Sequence, residues 1–268
     1  MFVRGVTGIL LTVVTTIAAA QIDPSSFRIY GATDRDIPTP QHSTKTISDA
    51  SALQQFIDFV RVSRVSGWRG MTAKGTITYS DDVQSYPAHL YLRDNAASRL
   101  DVEKLEGIES MVFAGNTGGF KKPKSRFLAS SDLSQLGLVA FPRILSPDHP
   151  AKNSVLTDHG IVRVENVFLH RISLDDPATD ATGDPWKTID LYFDPTTNYL
   201  VESVSFVHLS SSDAARYMVE TSYEDYRDEN SITLPHRIVQ SLNGNTEWTL
   251  QLNQLDLTAI PASSTFSF

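Results

Sequence analysis

The sequence predicts a mainly β protein: a single large, curled antiparallel sheet of about ten strands, with one or two helices packed on its concave face. Three observations carry that prediction. Apolar and polar residues alternate with a period of two through most of the chain after Gly67. Turn residues break this alternation at short intervals, and short turns can join only antiparallel strands. Clear helical periodicity occurs in one place, ahead of the strands.

Residues 1–20, MFVRGVTGILLTVVTTIAAA, read as a secretory signal peptide. Arg4 precedes an apolar run over residues 6–17, and Ala18, Ala19 and Ala20 supply a small-residue cleavage site. That run is shorter than the roughly 20 apolar residues of a membrane span, and it contains Thr and Gly. Cleavage near Ala20 implies a periplasmic or secreted protein. Residues 21–46 are polar, contain Pro24, Pro38 and Pro40, and read as a leader. Residues 47–268 hold no dividing linker or long repeat and are expected to form one half-barrel domain.

The helix comes first. Ser48 has N-cap chemistry, Leu53, Phe56, Ile57 and Val60 recur at i, i+3, i+4 and i+7, and Gly67 stops it. The strands follow in MTAKGTITYS, HLYLR, SRLDVEK and GIESMVFAG, with a turn around Asn116 and its flanking glycines. Residues 133–145 are amphipathic enough for a short helix that Pro142 would end. GIVRVENVFLHRISL resumes strand character. KTIDLYFD, the turn PTTN, YLVESVSFVHL, RYMVETSYEDY, LPHRIVQSL and TEWTLQLNQLDL complete the meander. The alternation slips between Leu252 and Leu255, which predicts a bulge.

Composition excludes several functions. With no cysteine there are no disulfides, no thiol catalysis, no Cys-ligated metal and no lipidated N-terminal cysteine. A net charge of −8 argues against nucleic acid as a partner. No later segment is apolar over a membrane-spanning length, so the mature chain is not expected to be an integral membrane protein.

Candidate chemistry is thin. In YEDYRDENSITLPHRIVQ, four acids crowd His236, but Asp228, Glu229 and Asn230 have turn chemistry, and the cluster reads as a solvated hairpin tip. The seven histidines form no H-x-H or H-E-x-x-H pair. There is no G-x-S-x-G elbow. Gly118 and Gly119 with Lys121 and Lys122 lack the following helix of a phosphate loop. We therefore expect no catalytic residue, no metal ligand, no cofactor and no enzyme activity. An enzyme would need a constellation such as His208, His236 and Asp190 to meet in a cleft.

Apolar surface is what remains. A broad sheet that its helices do not wholly cover leaves a concave apolar space, the usual form of an acyl-chain site. Leu90, Leu92, Met111, Phe113, Leu191 and Phe193 are the candidate lining, with Leu53, Phe56 and Ile57 facing them from the helix. The alternative is that these residues are ordinary core.

Several stretches resemble the LolA/LolB class of exported bacterial proteins, which carry or receive lipoproteins. An amphipathic helix ends in a Gly-containing turn and leads into GTITY. LYLRDNAASRLDVE then precedes SMVFAGNTGGF. Finally, DLYFDPTTNYLVESVSF, YEDYRDENSITLPHRIVQ and LDLTAIPASSTF (with Phe266) are similar to the family's closing meander. The resemblance implies an unclosed barrel with a helical lid, and lipid or lipoprotein acyl chains as guest. It also implies an arginine that holds the lid, for which Arg93 and Arg99 are the candidates. A receptor's lipidated cysteine is missing here. The other reading is an envelope sensor or interaction module that takes a peptide or protein partner by strand addition.

Overall fold

The computed structural model describes residues 45–47, 69–93, 97–114, 117–123, 128–130, 155–164, 166–175, 188–207, 217–230 and 232–267. The expected signal peptide, both expected helices and the candidate lining residues Leu53, Phe56 and Ile57 lie outside them.

The described strands are β1 (Lys45–Ile47), β2 (Gly70–Tyr79), β3 (Ser85–Arg93), β4 (Ala97–Lys104), β5 (Gly107–Ala114), β6 (Thr117–Lys121) and β7 (Leu128–Ser130). They continue as β8 (Val155–Val164), β9 (Val167–Asp175), β10 (Thr188–Phe193), β11 (Leu200–Val207), β12 (Tyr217–Glu229), β13 (Ile232–Leu242) and β14 (Asn245–Asp256). All belong to one antiparallel sheet in the order β1-β8-β9-β10-β11-β12-β13-β14-β2-β3-β4-β5-β6-β7. Two meanders, β2–β7 and β8–β14, are thus sewn together where β14 pairs with β2. The ends, β1 and β7, do not pair with each other, so the sheet is curled but unclosed.

Fourteen strands replace the expected ten for local reasons. β1 and β7 have three residues each, too few for an alternation to register. GIVRVENVFLHRISL is two strands rather than one, with β8 and β9 paired antiparallel so that Val164 opposes Val167. At the β12–β13 hairpin, Arg227, Asp228 and Glu229 stay in the ladder opposite Leu234, Thr233 and Ile232, so the turn is shorter than the expected Asp228–Asn230 tip. Asn230 makes the tight turn possible by taking φ of 53°, a left-handed conformation that Asn tolerates. The bulge expected near Leu252 is present: the register with β2 shifts between Leu252 and Gln254.

Because side chains alternate across the pleat, each strand feeds two faces. On the inner face, Met71 and Ile77 of β2, Leu90 of β3, Leu100 of β4, Leu191 and Phe193 of β10, Ile238 of β13, and Trp248 and Leu250 of β14 belong to one buried cluster. The outer face carries a smaller cluster of Val162, Leu169, Tyr192, Val204 and Met218.

The C-terminal tail closes over the outer face of the other arm. A 3₁₀ turn at Ser263–Phe266 seats Phe266 against Ala97 and Val112. Arg93 Nη1 donates to the Pro261 carbonyl at 3.2 Å and to Ser263 Oγ at 2.7 Å, and Arg99 Nη1 donates to the Thr265 carbonyl at 3.0 Å. Phe266→Ala is expected to undock this tail at a cost of about 3 kcal/mol. Limited proteolysis with mass mapping should then show new cleavage after Leu257, and an unchanged digest would refute the docking.

Candidate functional site

The inner face brings most of the expected lining together. Leu90, Leu92, Met111, Leu191 and Phe193 share one cluster, and Phe113 lies on the same face because Ser98 opposes both it and Leu92. Leu90, Leu191 and Phe193 are 1%, 0% and 1% exposed, so here they are packed core. The rim is more open: Tyr79, Tyr86, Met111, Tyr226, Leu234, Leu255 and Leu257 are only partly buried against that cluster.

Arg93 and Arg99 sit on the opposite face. Arg99 opposes Val112, which packs on Phe266, and both guanidiniums donate to the chain's own tail. Arg99 Nε also donates to Asp101 Oδ1 at 2.7 Å.

A feature that the strand patterns hid is a polar belt inside the apolar face. Ser203 of β11 opposes Thr221 of β12, Thr221 opposes Gln240 of β13, and Gln240 opposes Trp248 of β14. All four are buried. Trp248 Nε1 donates to Gln240 Oε1 at 3.1 Å, and Ser203 Oγ lies 3.2 Å from the Tyr223 hydroxyl. The signal was readable as phase: Gln240 alternates with Ile238 and Leu242, so it points where apolar residues point. Burial pushes the Tyr223 hydroxyl well up, and the Ser203 bond offsets only part of that. Burial likewise raises Tyr226, with Tyr199 adding to it, and raises Tyr79, where Glu109 and Asp81 add their negative charge. These hydroxyls therefore stay neutral.

The acid-rich hairpin holds no open site. Asp225 pairs with Arg227 at 2.6 Å, Glu224 with Arg237, and Asp228 accepts from Thr233. Buried His236 donates from Nδ1 to the Leu252 carbonyl at 3.1 Å, since a carbonyl only accepts. Its Nε2 lies 3.3 Å from Glu229 Oε1. Among the described residues no group of three or more His, Asp and Glu side chains could hold a metal.

Nor do Asp190 and His236 meet. Asp190 is on the outer face opposite Val204, whereas His236 shares the inner face with Ile238, and His208 is outside the described residues. Asp190 instead accepts from Ser173 Oγ and, at 2.9 Å, from Arg171 Nη2. His159 Nε2 lies 2.7 Å from that serine. Ser173 spends its one hydrogen on the carboxylate, so His159 acts as donor to it rather than as its base.

No family model matches the chain, and no curated protein matches it. Solved structures do. A LolA superfamily protein from Nitrosomonas europaea superposes with a TM-score of 0.53 at 12% identity, over 80% of this chain and 97% of that one. A protein from Vibrio parahaemolyticus, described as an outer membrane lipoprotein-sorting protein domain, superposes with a TM-score of 0.56 at 11% identity, over 79% of this chain and 94% of that one. Among the described residues no helix is long and apolar enough to cross a membrane. A single antiparallel sheet, broad, curled and left unclosed, is thus what this chain shares with LolA superfamily proteins: it has their fold.

Proposed function

We propose that the protein is an exported binding or carrier protein that shelters a lipid or acyl-type group, in the manner of a lipoprotein carrier, and that it acts by binding rather than catalysis. The observation that supports this most is the inner face itself, a continuous apolar surface running from β9 through β14 and on to β4 within an unclosed sheet. The Vibrio structure with the same fold is described as lipoprotein-sorting, which favours the same guest class. An acyl chain gains about 0.8 kcal/mol for each buried methylene and needs no directional contacts, so an apolar trough suffices. Since the middle of the face is sealed from water, the guest enters by parting that packing from the rim of Tyr79, Tyr226 and Leu255 inward. The periplasm, where lipoproteins cross between membranes, is the corresponding location.

Purification from the envelope fraction followed by native mass spectrometry is expected to show co-purifying lipid. The delipidated protein should bind the apolar dye 1-N-phenylnaphthylamine and release it to long-chain lipids. Absence of both signals sinks the proposal. A pull-down that returned one defined envelope protein and no lipid would favour the interaction module instead.

A further inference from the structure

Two polar atoms in the buried belt have no partner. Thr221 Oγ1 and Gln240 Nε2 are each shut off from water without a hydrogen bond, on side chains 0% and 9% exposed. They stand directly opposite each other on β12 and β13, so their Cβ atoms are about 5 Å apart. The orientation of the Gln240 amide is not arbitrary. An indole N–H can only donate, so the 3.1 Å bond from Trp248 fixes Oε1 as the acceptor and leaves both N–H donors of Nε2 unspent. Leaving such groups unpaired in an apolar interior is expensive, roughly 1–3 kcal/mol each. An apolar pair of the same shape would remove that cost, and buried polar atoms that remain unpaired call for an explanation.

We infer that Thr221 and Gln240 form the polar anchor of the guest site, donating to the ester or amide carbonyl at the head of an acyl chain that lies along the inner face. This rests on the carrier reading and adds to it the chemical class of the guest. The neighbours set the class. Nε2 offers donors alone and the threonine hydroxyl can add one more, which matches an acceptor oxygen with two lone pairs. The surrounding side chains in this row, Leu191, Ser203, Trp248 and Tyr79, carry no charge. A free carboxylate brought there would be a buried anion with no cation beside it in the row, whereas a carbonyl brings no charge. The next residues on the same strands, Val219, Tyr223, Ile238 and Leu242, are buried and would flank the chain.

The test compares three probes in dye displacement: methyl palmitate, hexadecane and palmitate. Each is titrated into the wild-type protein, Thr221→Val and Gln240→Met. Comparing each probe's ratio between variants cancels differences in probe hydration. Thr221→Val keeps the shape and removes one unpaired hydroxyl, so its melting temperature is expected at or above wild type. Its affinity for methyl palmitate is expected to fall roughly fivefold, the worth of one neutral hydrogen bond. Hexadecane affinity should stay within twofold. Gln240→Met should lower methyl palmitate affinity in the same direction, with the fold checked separately because the Trp248 indole loses its acceptor. The inference is overturned if methyl palmitate and hexadecane respond alike to both substitutions, since only chain burial is then at work. It is also overturned if palmitate affinity falls as much as methyl palmitate affinity in both variants, or if Thr221→Val melts several degrees lower. An ester affinity unchanged by both substitutions removes the anchor but leaves the carrier; failure of all three probes to bind wild type removes both.

Discussion

Gly75→Ala is expected to lower the melting temperature by roughly 10 °C, the largest effect of any small substitution in the described sheet. A Cβ at this position would lie 2.0 Å from the Gln251 carbonyl oxygen, 2.8 Å from the Gln251 carbonyl carbon and 2.9 Å from Leu252 Cα. All three are backbone atoms, so no rotamer change relieves the clash. Overpacking commonly costs about 1–3 kcal/mol, and a backbone clash this close should cost roughly 4. The position explains why the contact is so tight. Gly75 opposes Leu252 beside the bulge of β14, and this is the seam where the two meanders join. Separating the seam would divide the sheet, so the loss should appear as one cooperative transition shifted downward. Gly244→Ala is the natural comparison. Nothing lies within 4 Å of a Cβ there, but its φ of 79° strains any L side chain, and a cost of about 1 kcal/mol is expected. A Gly75→Ala protein that melts within 2 °C of wild type would mean that the β2–β14 approach is not as drawn.

Phe193→Ala comes next and decides between core and lining. Phe193 is 1% exposed and belongs to the inner cluster. If it fills the interior, truncation leaves a cavity and costs about 3–5 kcal/mol, again on the order of 10 °C for a chain of this size. The expected result is that loss, measured by calorimetry on delipidated protein, together with weaker dye binding. A variant that keeps its melting temperature while losing affinity would show that the ring lines an empty space in the unliganded state. Under the present packing the stability change should dominate, because the guest must displace contacts that Phe193 already makes.

Much of the architecture was legible from the chain. The period-two alternation of MTAKGTITYS or TEWTLQLNQLDL identifies strands because successive Cβ atoms point to opposite sides. The slip between Leu252 and Leu255 revealed the bulge, since an extra residue must break that phase. The apolar candidates Leu90, Leu191 and Phe193 fall in one buried cluster. The reading failed where signals were short or counter-intuitive. Three-residue strands such as β1 carry too little pattern. The turn at Asn230 is tighter than its acidic composition suggests, because Asp228 and Glu229 stay paired in the ladder.

The candidate site divides in the same way. That an apolar face exists follows from alternation alone. That Ser203, Thr221 and Gln240 form a row within it depends on register between strands, and no local pattern states which residue will stand opposite which. Likewise no local pattern around Arg93 and Arg99 states that the C-terminal tail returns from more than 160 residues away to meet them.

By itself the sequence determined that this protein is an antiparallel β structure without cysteine chemistry, with one greasy side to each strand. Those properties are local: they depend on the residue, its neighbours and the pleat. Only the tertiary structure decided that β14 closes onto β2, that the tail covers the outer face, and that two residues with unpaired polar atoms stand opposite each other inside. Those depend on contacts between distant segments, which are fixed by the collective packing of the sheet and cannot be read from any one strand.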